Sequence, residues 1–340
     1  MRPRRRRLAL ALAVLAALGV AAAVTLAGSG TAREDAGWQR LRPSLLARTE
    51  VAAARAGDRV YVVGGFAGAE GSEVGATTAA VERYDPRRDR WSRARSMPLA
   101  LNHPAAATWR GRVYVVGGYT ARAGLAGDSA ALLRYDPGRD RWTRLADMPT
   151  ARGALAAGVV GDRLYAAGGA TGGRALRTLE VYDLERDRWR RGPAMPTARE
   201  HLAGAVQAGG FYVLAGRSAE QGNVTMAERY VPARGRWERL PAMRKARGGI
   251  AAAVAGGRIV VVGGEEAAGT IAEVEAYDPA RRRWRALPDL PTPRHGLGAV
   301  AFGGRVLVLE GGVTPGFSFS RSVEALAPRE SAPPAAGRAR

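Results

Sequence analysis

A unit of 47 to 53 residues recurs six times in this chain and constrains its fold more than any other feature. In the copy at residues 256–284, an apolar run is followed by a glycine pair, a variable loop, a Tyr-Asp-Pro sequence and a tryptophan. The corresponding tryptophans are Trp38, Trp91, Trp142, Trp189, Trp237 and Trp284. Their spacing is typical of radial β-arrays and is too long for helical solenoids.

Each unit predicts four short strands. In the third unit, the segment 153–160 reads as a first strand of small residues and Gly161-Asp162 as a two-residue hairpin signal. The second and third strands are predicted at 164–167 and 179–183, and the fourth from Trp189. Because the tryptophan spacing follows the repeat, we interpret the tryptophans as structural wedges between units.

The order Gly-Gly, Tyr-Asp and Trp at this period resembles the kelch repeat, from Trp38 to about Leu326. The resemblance implies an all-β fold, a six-bladed β-propeller of four-stranded antiparallel blades. Two units depart from the pattern: Ala215 replaces a glycine, and the last unit ends at 323–326 without Tyr-Asp or Trp. The missing outer strand is present at the other end of the repeats, so the N-terminal strand at Trp38 is predicted to close the ring.

The chain begins with an arginine-rich segment followed by twenty uncharged residues, 8–27. Residues 1–27 are therefore predicted to be a signal peptide or an N-terminal membrane anchor, and both alternatives stay open. Arginines ahead of the apolar run predict an extracytoplasmic propeller, secreted or anchored to the cytoplasmic membrane by residues 8–27. We assign residues 28–37 to a linker, 38–326 to the propeller and 327–340 to a disordered tail.

The formal net charge is +21, which can indicate nucleic-acid or anionic-surface binding. The basic residues are spread through every repeat and are nearly all arginine, so we interpret them as a solvated surface and predict no nucleic-acid partner. The chain has no cysteine, which excludes the cysteine–tyrosine copper chemistry of kelch oxidases. We predict a monomer without a cofactor.

In a four-stranded meander, the residues before the first strand share a face with the loop after the glycine pair. Aligning the units on that face places arginine at one position in five of them: Arg48, Arg152, Arg199, Arg247 and Arg294. The resemblance to kelch adaptors implies a ligand face, with these arginines and His295 as candidate ligand-binding residues for an acidic ligand. The alternative is that the arginines pair with carboxylates or carbonyls and brace the ring.

All three histidines, His103, His201 and His295, lie in the same segment of units two, four and six. A threefold arrangement suggests a metal site. We expect alternate blades to lie on the order of 10 Å apart, whereas zinc requires histidine nitrogens at roughly 2.0 to 2.1 Å. The sequence therefore predicts no metal.

Two classes of function remain. The first is a binding or scaffold module that recognises a partner protein, a glycan or another acidic ligand. The second, implied by resemblance to exported kelch enzymes, is a mutarotase or epimerase acting on an acidic sugar such as sialic acid. Its general acid and base candidates are Glu50, His103, Glu200 and His201. A funnel-shaped pocket with a carboxylate and a histidine converging on arginines would favour the enzyme, and a flat mouth the binding module.

Overall fold

The computed structural model describes residues 37–327, which form six four-stranded antiparallel sheets, here called blades 1 to 6 in chain order. The first strands are Ala52–Ala56, Ala105–Trp109, Ala156–Val160, Ala203–Gln207, Gly248–Ala255 and Gly298–Phe302. The second strands are Arg59–Val63, Arg112–Val116, Arg163–Ala167, Gly210–Leu214, Arg258–Glu266 and Arg305–Leu309. The third strands are Val81–Asp85, Leu132–Asp136, Leu179–Asp183, Ala227–Val231, Val274–Asp278 and Val323–Leu326. The fourth strands are Arg90–Ala94, Arg141–Arg144, Arg188–Arg191, Arg236–Arg239, Arg283–Leu287 and Trp38–Arg40.

Shorter elements decorate the loops of this framework. They are the strands Ala47–Thr49, Phe66–Gly68, Gly75–Thr77, Ala170–Thr171, Arg174–Ala175, Arg217–Ser218, Gly222–Asn223 and Gly269–Thr270, and the 3-10 helix Pro232–Arg234. Within the described range, no helix is long and apolar enough to span a bilayer. The predicted signal or anchor at residues 1–27 lies outside that range.

The six blades close into a ring, as the repeat count predicts. Each first strand contacts the first strand of the next blade, and the first strand of blade 6 contacts that of blade 1. Alanine, glycine and valine from all six first strands, together with Arg55 and Thr108, line a cavity of about 370 Å³ along the centre. Small side chains there allow six strands to approach one axis and leave a channel between them.

The N-terminal strand completes blade 6. Trp38–Arg40 pairs antiparallel with Val323–Leu326, and Trp38 lies opposite Leu326. Blade 6 therefore takes its outer strand from one end of the described chain and its three inner strands from the other. The predicted closure at Trp38 is confirmed, and it leaves the third strand of blade 6 without an open edge.

The six repeated tryptophans join neighbouring blades. The indole Nε1 of Trp142 in blade 2 donates a hydrogen bond to the carbonyl of Arg95, which follows the fourth strand of blade 1. The other five make the equivalent bond to Arg42, Ala146, Pro193, Pro241 and Pro288, at 2.8 to 3.0 Å. Each ring also packs within its own blade, as Tyr84 does on Trp91 with centroids 4.7 Å apart. These contacts agree with the predicted wedge role.

The glycine pairs allow the next blade to approach the backbone closely. Gly64 has φ of 64°, and a Cβ there would lie 2.3 Å from the carbonyl oxygen of Leu101 in blade 2. The N–H of Gly65 donates to that same carbonyl at 2.8 Å. The equivalent bond from Gly311 to the carbonyl of Arg48 joins blade 6 to blade 1. Ala215 occupies the pair position of blade 4 at φ of 46°, in the left-handed region that favours glycine.

Three predicted strand boundaries in blade 3 differ from the structure, and one of them is the start of the second strand, at Arg163 rather than Leu164. In blade 3 the first strand begins at Ala156 rather than Gly153, because Gly153 pairs with Ala170 instead and Ala154 has φ of 52°. The fourth strand of that blade begins at Arg188, one residue before Trp189.

Candidate functional site

The five repeated arginines are buried, not displayed on a surface. Each has 0% relative exposure. Each forms an ion pair with a glutamate at the second residue of the third strand in its own blade: Glu82, Glu180, Glu228, Glu275 and Glu324. The prediction that these arginines present a ligand face does not fit this geometry, because a ligand would have to displace the glutamates to reach them.

Arg152 shows how such a buried guanidinium is bound. It donates to the carbonyls of Gly168, Thr150 and Ala166 and to the Glu180 carboxylate, at 2.6 to 3.1 Å. Burial lowers the pKa of Arg152, and the neighbouring Glu180 carboxylate opposes that shift. The bond to Gly168 recurs sixteen residues after each of the five arginines, so the guanidinium ties the start of its blade to the end of the second strand. The bracing alternative is the one that these contacts support.

Blade 2 replaces this ion pair with two leucines. Leu101 stands at the arginine position and Leu133 at the glutamate position, and both are buried in one apolar cluster. The arginine and the glutamate are thus both present or both absent within a blade. Sequence reasoning found the arginines but missed the glutamates, which stand two residues before the tyrosine in blades 1, 3, 4 and 5.

The arginine of blade 1 contacts a second acid, which comes from blade 6. Arg48 contacts both Glu82 and Glu310, the latter at 2.9 Å. Burial raises the pKa of Glu310 to about 7; the charge on Arg48 opposes this rise, and Glu82 adds to it.

A collar of backbone hydrogen bonds encircles the channel two residues after the arginine position. It runs from the N–H of each residue to the carbonyl of its equivalent in the preceding blade, at 2.9 to 3.0 Å, and Val51 N–H closes it on Gly296 at 3.2 Å. All six collar residues have φ between 50° and 70°: Glu50, His103, Ala154, His201, Gly249 and Gly296. The collar fixes three functional side chains and three small residues at one level of the channel.

The small collar residues make room for the large ones. A Cβ on Gly296 would lie 2.6 Å from the Glu50 carboxyl group, and one on Gly249 would lie 3.3 Å from His295. Glycine is therefore required at residue 296 for Glu50 to hold its present position. The functional side chains can converge because the other three collar residues, Ala154, Gly249 and Gly296, have small side chains or none.

Glu50 lies at the centre of this convergence. Its Oε2 is 3.1 Å from Nε2 of His103, and its Oε1 is 3.2 Å from Nδ1 of His295. The rings of His103 and His201 meet edge to face with centroids 4.8 Å apart. The expected separation of about 10 Å is therefore wrong for these two histidines. Both collar residues are hydrogen-bonded to the backbone of Ala154 between them, and both side chains reach inward.

The charges of this cluster are strongly coupled. Burial by itself would raise the pKa of Glu50, but His103, His295 and His201 outweigh it and hold the pKa well below its usual range. Burial lowers the pKa of His103 and, more strongly, that of His201. For His295, the carboxylates of Glu50 and Glu265 outweigh burial and raise the pKa. The cluster thus combines a carboxylate with two histidines that favour the neutral form.

The cluster lines a cavity of about 160 Å³, together with residues from the loops that follow the second strands. Arg217 and Glu265 form an ion pair on its wall, and Glu265 lies 3.6 Å from His295. The other lining residues, which sequence reasoning also missed, are Thr49 and Phe66 in short strands and Gly124, Leu125, Gly316 and Phe317 in loops. No repeat position marks these loop residues in the sequence. Glu200, predicted with Glu50, His103 and His201, contacts His201 through its carboxylate.

Residues 49–246, more than half of the chain, match the family model described as the KLHDC2/KLHL20/DRC7 Kelch-repeats domain, and residues 246–291 match the Kelch motif. The chain belongs to the kelch-repeat family. The family predicted from the Gly-Gly, Tyr-Asp and Trp pattern is therefore confirmed.

The kelch relatives match over part of their length. Kelch-like protein terF of Aspergillus terreus is 40% identical over 128 residues, which are 36% of this chain and 27% of that protein. Human Kelch repeat and BTB domain-containing protein 12 is 32% identical over 115 residues, 32% of this chain and 18% of that protein. The chain thus spans less than a third of the length of these relatives. The solved structure of YjhT aligns with a TM-score of 0.69 at 14% identity, covering 83% of this chain and 95% of that one, and shows the fold alone.

Proposed function

We propose that this kelch propeller is a binding module that holds a partner protein on its loop face. The loop face comprises the segments before the first strands and the loops after the second strands, around the mouth of the cavity. Kelch repeats are typical of protein-binding or scaffold propellers. Here we assign the binding role to one face of the ring and to particular residues on it.

The observation that carries it is the position of the exposed apolar side chains. Within residues 37–327, four large apolar residues are exposed, and all four lie on the loop face: Leu45 at 46%, Val74 at 81%, Leu125 at 49% and Val313 at 38%. They belong to blades 6, 1 and 2 or to the segment that joins blade 6 to blade 1. Apolar residues gathered on one face beside a polar rim are characteristic of protein interfaces.

The cavity supports a protein partner better than a sugar acid. Its volume of about 160 Å³ is well below the roughly 300 to 1,000 Å³ of small-molecule sites. The five buried arginines are committed to glutamates and do not provide a carboxylate-binding wall. The convergence of Glu50, His103 and His201 is the observation in favour of the mutarotase alternative, because it brings a carboxylate together with neutral histidines.

Replacing Val74 and Leu125 together by aspartate is expected to reduce partner binding at least tenfold. Each substitution places a charge where the proposed partner would bury an apolar side chain. Interface residues of this kind contribute roughly 1 to 2 kcal/mol each to the free energy of binding. The measurement is affinity capture of the full chain from the cells that produce it, with quantification of every co-purified protein. The matched control is Ala280→Asp, an exposed apolar position in the turn at the opposite end of blade 5.

A partner retained equally by the Val74/Leu125 variant and by Ala280→Asp would contradict the loop-face assignment. Thermal unfolding of both variants is measured to check that the propeller remains folded. The alternative predicts a different result: faster interconversion of the anomers of sialic acid, detected by NMR and lost in Glu50→Gln. Such activity would support the mutarotase alternative and contradict the binding proposal.

We also propose that the propeller lies outside the cytoplasm, because of the arginines and the apolar run in residues 1–27. A reporter enzyme that is active only outside the cytoplasm, fused after Leu41, is expected to be active in cells. The same fusion without residues 1–27 is expected to be inactive. Activity that does not depend on residues 1–27 would contradict the export role.

A further inference from the structure

We propose that Glu50, His103 and His201 bind a divalent transition-metal ion at the collar of the channel. One ligand atom from each of the three residues lies within 4.8 Å of those of the other two. Both histidines are buried, and Glu50 is mostly so. The three come from blades 1, 2 and 4 and are held at one level by the collar hydrogen bonds. A metal ion at this place is independent of the partner-binding proposal, because the two concern different residues.

The orientation of His103 is fixed by a second residue. Asn102 donates from Nδ2 to the Tyr119 carbonyl and to Thr77, at 3.3 and 2.8 Å. Because a carbonyl only accepts, this fixes the amide and turns its Oδ1 towards Nδ1 of His103, at 2.7 Å. The Nδ1 atom must therefore carry the proton, and the neutral ring keeps its lone pair on Nε2. That Nε2 atom is the one that faces Glu50.

His201 is oriented in the same way by a carboxylate. Its Nδ1 atom contacts Glu200, the residue before it, and a carboxylate accepts the N–H there. The lone pair of the neutral ring is then on Nε2. Histidines that bind metals typically donate their other N–H to a carboxylate or carbonyl, which fixes the tautomer and raises the basicity of the ligand. Asn102 and Glu200 provide this support for both histidines.

The contact between His103 and Glu50 needs a cation. Both Nε2 and the carboxylate oxygen present lone pairs across 3.1 Å, so a proton or a metal ion must lie between them for the contact to be favourable. A proton joins two atoms, whereas here three ligand groups converge. Convergence of two imidazoles and one carboxylate matches the ligand set of Zn²⁺ and of other first-row ions that keep open coordination positions.

The remaining position would face the cavity on the loop side. His295 holds the second oxygen of Glu50 through Nδ1, which leaves Oε2 directed at His103. His295 is thus a positioning residue for Glu50. A metal ion here would be accessible from the mouth of the channel while its ligands stay buried.

The test is titration of the full chain with Zn²⁺ and with Co²⁺, followed by calorimetry and by the visible absorption of bound Co²⁺. The chain has three histidines and no cysteine, so few other strong ligands compete. We expect one ion per chain, a higher unfolding temperature with Zn²⁺, and at least 100-fold weaker binding in Glu50→Gln and His103→Ala. Glu200→Gln and His295→Gln, which change orienting residues, are expected to weaken binding about 10-fold to 100-fold.

The matched control is Glu70→Gln, which changes an exposed carboxylate that pairs with Arg321 and does not line the cavity, and is expected to bind as the unchanged chain does. The proposal is overturned if neither ion binds the unchanged chain. It is also overturned if Glu50→Gln and His103→Ala bind Zn²⁺ as tightly as Glu70→Gln does. If a ligand variant fails to fold, equal binding of Zn²⁺ by Glu200→Gln and Glu70→Gln overturns it as well.

Discussion

Replacing Arg152 by leucine is expected to destabilise the propeller by about 3 to 5 kcal/mol, because it leaves a buried carboxylate without its cation. Arg152 and Glu180 both have fully buried side chains, 2.6 Å apart. After the substitution, Glu180 keeps a hydrogen bond from Thr150 but no positive charge. The measurement is the free energy of unfolding in urea, followed by tryptophan fluorescence. Glu180→Leu is expected to lower the free energy of unfolding by a similar amount, since it leaves the buried Arg152 guanidinium without its carboxylate.

Two further variants separate the charge from the packing. Arg144→Leu removes a pair with Asp147 whose side chains are 59% and 46% exposed, and is expected to cost only about 0.2 to 1 kcal/mol. The double variant Arg152→Leu/Glu180→Leu recreates the Leu101–Leu133 pair of blade 2 and is expected to recover much of the loss. Recovery is incomplete, since the carbonyl of Gly168 loses its donor. An Arg152→Leu chain as stable as Arg144→Leu, or a double variant no more stable than either single one, would contradict the bracing role.

Repeat spacing was sufficient to predict the blades. The tryptophan period, the glycine pairs and the missing outer strand of the last unit predicted six four-stranded blades and the closing strand at Trp38. These features are encoded locally, because blades 1 to 5 are each built from strands that follow one another in the chain, and only blade 6 takes its outer strand from the opposite end. A repeat pattern of this kind therefore predicts the fold in detail.

Whether a side chain is buried or exposed was harder to predict. Strand order places Arg152 and its equivalents near the loop face but does not show whether a guanidinium turns outward or inward. The answer depends on Glu180, which is 28 residues away in sequence, and on three carbonyls. Comparing repeats would have revealed it: arginine and glutamate occur together in five blades, and leucine replaces both in blade 2.

The collar escaped prediction for a conformational reason. Glu50, His103 and His201 adopt positive φ, which their residue types do not indicate, since glycine is the residue expected there. That conformation lets their side chains reach inward at one level, so blades that are not neighbours contribute to one cluster. Residue type and spacing showed which blades hold the histidines but not that two of their rings touch.

Trp38→Ala is expected to destabilise the whole propeller by about 3 to 5 kcal/mol, the usual cost of truncating a buried tryptophan. Trp38 is 2% exposed, packs in the core between blades 5 and 6, and donates its indole N–H to the carbonyl of Pro288. Loss of this packing and of this hydrogen bond weakens the attachment of the strand that closes the ring. The measurement is the free energy of unfolding together with the unfolding temperature.

The matched control for Trp38 is Trp142→Ala, since Trp142 makes the same type of bond to Arg95 but is only half-buried and lies on a strand that continues into the next blade. Its cost is expected to be smaller. A chain that begins at Arg48 lacks the closing strand and exposes the edge of Val323–Leu326, so it is expected to unfold at a lower temperature than one that begins at Gly37. Equal unfolding temperatures for the two chains would show that the ring does not depend on its N-terminal strand, because the outer edge of blade 6 would then be stable without a partner.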